Sequence, residues 1–166
     1  LILSVKIKWY KVTNHDSYKM ILKTYFEKSL VFAIKRVAEL VGLILMLISI
    51  LLLISLVSYS PDDPNFIFPE NAIIHNILGS KGSFIADIFF QSLGLISFLI
   101  PFSFFFTGLR ILVKKNFLII LENIFFIIFY SILGCLFFTV YHTETFWLYI
   151  NGNNGFVGDI FKNSFL

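Results

Sequence analysis

The sequence predicts an all-α integral membrane protein, an antiparallel bundle of transmembrane helices in which three are complete and a fourth is begun. Three observations carry that prediction. Of the 166 residues 58% are hydrophobic and 14% charged, with a mean hydropathy of +0.88, whereas soluble domains are about one-quarter charged. The apolar residues gather into three blocks, each long enough to cross a bilayer. The 13 Lys and Arg residues fall almost entirely in two segments that an up-and-down bundle brings to the same end.

Residues 1–36 form a basic segment ahead of a transmembrane domain at 37–166. Lys6, Lys8, Lys11, Lys19, Lys23, Lys28, Lys35 and Arg36 stand against only Asp16 and Glu27. Tyr18, Ile21, Leu22, Tyr25, Phe26 and Leu30 recur at three- and four-residue spacing with lysines between them. A basic amphipathic helix on an anionic membrane surface gives this pattern, and so does a solvated basic tail. A Lys-rich arm on nucleic-acid phosphates is a third reading, ranked below the membrane surface. A signal peptide does not fit, because the apolar block starts late, is too long and lacks a small-residue cleavage pattern.

The first helix is expected over about 37–57, which at about 1.5 Å per residue covers roughly 31 Å, the thickness of a hydrocarbon core. Glu39 then lies at the interface. The helix must end at Ser58-Tyr59-Ser60-Pro61-Asp62-Asp63-Pro64-Asn65, because neither proline offers a helical N–H and the backbone has to turn. From 58 to 83 the chain is polar, with Asp62, Asp63 and Glu70 against Lys81 alone, and reads as an external loop. A second helix is expected over about 86–109, kinked at Pro101, with Gln91, Ser92, Ser97 and Ser103 as its polar residues.

Arg110, Lys114 and Lys115 make the next turn basic. The third helix is expected over about 117–141. Its acid, Glu122, is either solvated at the interface, the preferred reading, or paired with Lys115 or another helix. Ser131 and Gly134 offer a small-residue packing patch. Residues 142–154 hold Glu144 with no Lys or Arg, and Trp147 and Tyr149 suit an interface. From about 155 the chain turns apolar again through Phe156, Val157, Ile160 and Phe161, and reads as the start of a fourth helix whose remainder lies outside these residues. By the positive-inside rule the N-terminus and the 110–116 turn are cytoplasmic and the acidic loops external.

Chemistry is sparse. No Gly-Lys dipeptide exists, so the nucleotide-binding G-x-x-x-x-G-K-[ST] loop is missing from these residues. Gly152, Gly155 and Gly158 do not match a dinucleotide fingerprint and suit a glycine-rich loop leading into a helix. His75 and His142 could meet Asp62, Asp63 and Glu144 on one side, but not at metal-ligand spacing. Cys135 is the single cysteine, and no serine sits in a nucleophile elbow. No catalytic residue, metal or cofactor is therefore expected. The 22 Phe residues, with abundant Ile, Asn and Lys, are more simply the mark of a genome poor in G and C than of aromatic chemistry.

Ser58 to Asn65, then His75-Asn76-Ile77-Leu78-Gly79-Ser80-Lys81-Gly82, then Ala86-Asp87, Gly94 and Pro101 together resemble the N-terminal four-helix membrane domain of the FtsK/SpoIIIE family of bacterial DNA translocases. That domain has a Ser-Tyr/Phe-Ser-Pro-x-Asp-Pro turn after its first helix and an N-x-x-G-x-x-G element. An Ala-Asp pair then opens helix two, and a Gly and a Pro lie within it. Gly155-Phe156-Val157-Gly158 is similar to the glycine-rich lead-in to its helix four.

The resemblance implies a membrane anchor and division-site interaction module of the inner membrane, active in cell division and chromosome partition. Its implied partners are the bilayer, other division-site membrane proteins and further copies of itself, with DNA reached only through a C-terminal motor outside these residues. Asp62, Asp63 and Asp87 at the outer rim would organise helix ends or meet partners, Asp87 also suiting a helix N-terminus. The alternative is a small transporter or channel subunit, for which Gln91, Ser97, Ser103 and Ser131 would have to meet at mid-bilayer. A membrane enzyme comes last.

Overall fold

The computed structural model describes residues 2–64, 73–141 and 152–165, with side chains between Tyr18 and Ser164. The described residues form five α-helices and one 3-10 turn: α1 Ile2–Val57, α2 Gly79–Leu93, the 3-10 turn Gly94–Phe98, α3 Leu99–Lys114, α4 Leu118–Tyr141 and α5 Gly155–Phe165. Three helical stretches, Tyr18–Val57, Gly79–Lys114 and Leu118–Tyr141, are long and apolar enough to cross a membrane. The chain is thus an all-α membrane bundle. Asn65, Glu70, His142, Glu144, Trp147 and Tyr149 lie outside the described residues.

α1 ends at Val57, one residue before the motif that was expected to stop it. Its other end differs from expectation, because the leader and the apolar block form one continuous helix instead of a separate surface segment. Lysine and the straight-chain apolar residues are good helix formers, and no Pro or Gly separates the two parts.

α1 and α3 form the central antiparallel pair. Lys115 Nζ lies 2.6 Å from Glu39, a Cβ on Gly42 would stand 2.9 Å from the Gly108 carbonyl, and Ser49 Oγ donates to the Pro101 carbonyl at 2.6 Å. These contacts run in opposite directions along the two helices. Bare glycines let the backbones touch, which is how helices gain dispersion contacts where lipid removes the hydrophobic drive. One apolar cluster, Leu52, Leu56, Ala86, Phe90 and Ile100, fills the bundle near the α1 exit. Another, Ala38, Ile111 and Ile119, fills the opposite end.

The second block is not one helix kinked at proline. It breaks upstream, at Gly94, whose φ of 60° and ψ of −141° are accessible only to glycine at low cost. Pro101 then falls in the first turn of α3, where a missing N–H is tolerated. The Ser97 carbonyl, which an N–H at 101 would have met, takes a share of the Leu99 N–H. α4 buries only Ile119, Ser131, Cys135 and Thr139 and presents Phe125, Phe126, Phe129 and Phe137 outward, as a lipid-facing helix does.

Candidate functional site

Of the residues singled out in the sequence, Ser58 to Pro64, Asn76, Gly79, Gly82 and Asp87 meet at the α1 exit. Ser58 Oγ donates back to the Ile54 carbonyl at 2.7 Å and accepts the Ile77 N–H at 3.2 Å. Ser60-Pro61-Asp62-Asp63 is a β-turn closed by the Asp63 N–H on the Ser60 carbonyl at 3.2 Å, with proline at the second position where its fixed φ fits. The Asp62 N–H points at Ser60 Oγ at 3.4 Å. The Pro64 carbonyl accepts from Ser83 Oγ at 3.1 Å, joining the turn to α2.

Asp63 is the centre of this end. It is 3% exposed, and its two oxygens accept the backbone N–H of His75 at 2.7 Å and that of Asn76 at 2.8 Å. His75 Nδ1 stands 3.0 Å from the first of them. Asp62, its neighbour, is exposed. The structure separates the two acids: a carboxylate accepting backbone donors belongs inside, because those amides need partners once water is excluded.

Asn76 continues the chain of bonds. Its Nδ2 donates to the Ser55 carbonyl at 2.9 Å and its Oδ1 accepts the Leu78 N–H at 3.0 Å, an Asx turn that starts α2. Gly79 follows at φ 68°, its N–H on the Asn76 carbonyl at 2.9 Å. Gly82 is bare because Asn76 Oδ1 occupies the space of a Cβ, and the Gly82 carbonyl accepts Ser55 Oγ at 2.6 Å. The N-x-x-G-x-x-G spacing therefore holds an asparagine between two helices and needs no ligand to explain it.

Asp87 does not open a helix. α2 begins at Gly79, so Asp87 lies in its third turn, 2% exposed. Tyr59 donates its hydroxyl to Asp87 Oδ1 at 3.1 Å and Gln91 Nε2 donates to Oδ2 at 2.7 Å. The Tyr59 ring leans on Phe90, centroids 4.8 Å apart, and Phe90 meets Phe98 edge-on at 5.3 Å. Burial, then the Asp87 charge and the hydrogen bond to it, and last Asp63, push the Tyr59 hydroxyl well above its usual range.

Gly94 receives the last segment. A side chain there would enter the Asn153 carbonyl, which instead accepts the Leu95 N–H at 3.0 Å. Gly155 sits against the Leu93 and Gly94 amides, so the lead-in to α5 docks at the break in the second block. At the other end Glu39 is shared by Arg36 and Lys115, each at 2.6 Å. Glu122 pairs with Arg110 at 3.1 Å and not with Lys115, both side chains remaining about half exposed.

The polar residues that a transport path would need do not meet. Gln91 serves Asp87, Ser97 Oγ donates to the Phe89 carbonyl at 2.7 Å, and Ser103 pairs with the Tyr130 hydroxyl at 3.0 Å. Among the described residues no group of three His, Cys, Asp or Glu could hold a metal ion. Ser49 and Ser55 are hidden in the sequence by the apolar run around them. The signal was present, because with Leu52 between them they recur at three-residue spacing on one face of α1.

Residues 34–166 match the model of the 4TM region of DNA translocase FtsK/SpoIIIE. Among curated proteins the chain is similar to the DNA translocase FtsK of Azospirillum brasilense, 32% identical over 87 residues, which is 51% of this chain and 14% of that protein. It is likewise similar to the DNA translocase FtsK of Rickettsia prowazekii, 36% identical over 67 residues, 40% of this chain and 9% of that one, and to that of Rickettsia bellii, 37% identical over 67 residues with the same coverage. The matched stretch spans less than one-sixth of each of these relatives. No solved structure matches.

Proposed function

Because this chain belongs to the family formed by the 4TM region of DNA translocase FtsK/SpoIIIE, we propose that it anchors an FtsK-type translocase in the bacterial inner membrane at the division site. In this reading it gathers other division-site membrane proteins and further copies of itself, and serves cell division and chromosome partition. Movement of DNA falls to a motor outside these 166 residues.

The observation that supports this most is the use to which the polar residues are put. The side chains of Asp63, Asn76, Ser55, Ser58 and Ser83 spend their hydrogen bonds on backbone groups of this end, those of His75, Asn76, Ser55, Gly82, Ile77 and Pro64. The arrangement fixes helix ends, as suits a scaffold and anchor. The basic residues Arg36, Arg110, Lys114 and Lys115 share the end where Glu39 meets Lys115. By the positive-inside rule we assign that end to the cytoplasm and the Asp63 end to the periplasm.

A fusion of the chain to a fluorescent protein, imaged in dividing rod-shaped cells, tests the reading. Enrichment at the septum is expected, and a uniform peripheral signal would refute it. Reporter fusions after Val57 and Lys114 test the orientation independently.

A further inference from the structure

Beside the α1 exit lies a half-enclosed cavity of about 360 Å³ between α1, α2 and α3. Ile48 and Ser55 of α1, Ile85 and Phe89 of α2 and Phe104 of α3 line it, and Lys81 stands at its rim. Ser55 adds no polarity, because its hydroxyl is turned onto the Gly82 carbonyl at 2.6 Å. We infer that this groove holds one acyl chain of an anionic phospholipid, with the lipid phosphate at Lys81.

Charge and shape both select that occupant. Lys81 is exposed and makes no ion pair among the described residues. Of the described carboxylates at this end, Asp63 and Asp87 are buried and committed to other donors, and the exposed Asp62 forms no ion pair with Lys81. Phe89 lies a little over two turns from Lys81 along α2, about 12 Å at 1.5 Å per residue. The groove thus descends from a cation at headgroup depth along an apolar wall, which matches a phosphate followed by hydrocarbon. A partner helix fits less well. Helices in lipid associate through small residues that let backbones approach, and here the one small backbone position, Gly82, is already filled by Asn76. A water-soluble ligand would find no second polar group to orient it.

Native mass spectrometry of the full chain, purified from nanodiscs containing equal phosphatidylglycerol and phosphatidylcholine, tests this. The unsubstituted protein is expected to retain phosphatidylglycerol at least threefold over phosphatidylcholine. Lys81→Gln should remove most of that preference while Lys81→Arg keeps it. Ile85→Trp, which fills the groove, should lower retention of both lipids by a similar factor, with helical content by circular dichroism unchanged in all three. Equal retention of the two lipids, or a preference that survives Lys81→Gln, would overturn the proposal and leave the cytoplasmic basic cluster as the source. Loss of preference in Lys81→Gln without loss of retention in Ile85→Trp would also overturn it, as surface attraction alone. A dimer signal abolished by Ile85→Trp would replace the lipid with a second copy of the chain.

Discussion

Tyr59 donates its hydroxyl to the buried carboxylate of Asp87 at 3.1 Å, tying the first residues after α1 to the middle of α2. With Gln91 on the other oxygen, an acid that would be costly inside a membrane bundle becomes part of its packing.

Tyr59→Phe keeps the ring on Phe90 and removes one donor from Asp87, so it should cost about 1–3 kcal/mol at neutral pH. It should also change the pH dependence. Tyr59 is harder to ionise folded than unfolded, so its contribution is complete below about pH 10, the ordinary tyrosine value, and is lost as pH rises from there towards the raised folded value. Thermal unfolding in detergent should therefore decline above about pH 10 more steeply for the unsubstituted protein than for Tyr59→Phe.

The neighbouring acids Asp62 and Asp63 should respond very differently to alanine. Asp63→Ala strips partners from two backbone amides and should cost about 3 kcal/mol. Asp62→Ala, at an exposed turn position, should stay within about 0.5 kcal/mol. Denaturation in mixed micelles compares them, and equal effects would contradict the buried placement of Asp63.

Gly108→Ala should weaken the α1–α3 pair more than Gly42→Ala. The new methyl at 108 would stand 2.6 Å from the Gly42 carbonyl and 3.2 Å from the Met46 amide, both backbone, whereas at 42 two of the three nearest atoms belong to the movable Leu112 side chain. A cost of about 1–3 kcal/mol is expected at 108, read as a lowered midpoint of unfolding.

Lys115 adopts a left-handed φ of 53° at the end of α3, which for a residue other than glycine costs about 1–2 kcal/mol. Its ion pair with Glu39 offsets part of that strain. Lys115→Ala, which keeps the strain and loses the pair, should be about 1 kcal/mol less stable than Lys115→Gly, which loses both. Equal stabilities would remove the strain from the account.

The spans were legible because bilayer thickness imposes a length on any crossing helix, and 37–57 and 117–141 meet it without interruption. Other features depended on partners far along the chain. Residues 79–83 read as loop because their glycines and serines are poor helix formers, yet Asn76 and the Pro64 carbonyl start a helix there. Pro101 was the local helix-breaker, but the break falls at Gly94 because Asn153 docks on it. Asp62 and Asp63 are the same residue type at adjacent positions, and only the fold sends one inward.

One carboxylate joins two stretches of chain that lie apart in sequence, since Asp63 belongs to the turn at 60–63 and binds the backbone of His75 and Asn76. What lies between can then change length with little effect on the rest, because each doubling of a closed loop costs only about 0.6 kcal/mol. An epitope or a fluorescent tag inserted between Pro64 and Ile73 is accordingly expected to leave the register of the bundle unchanged.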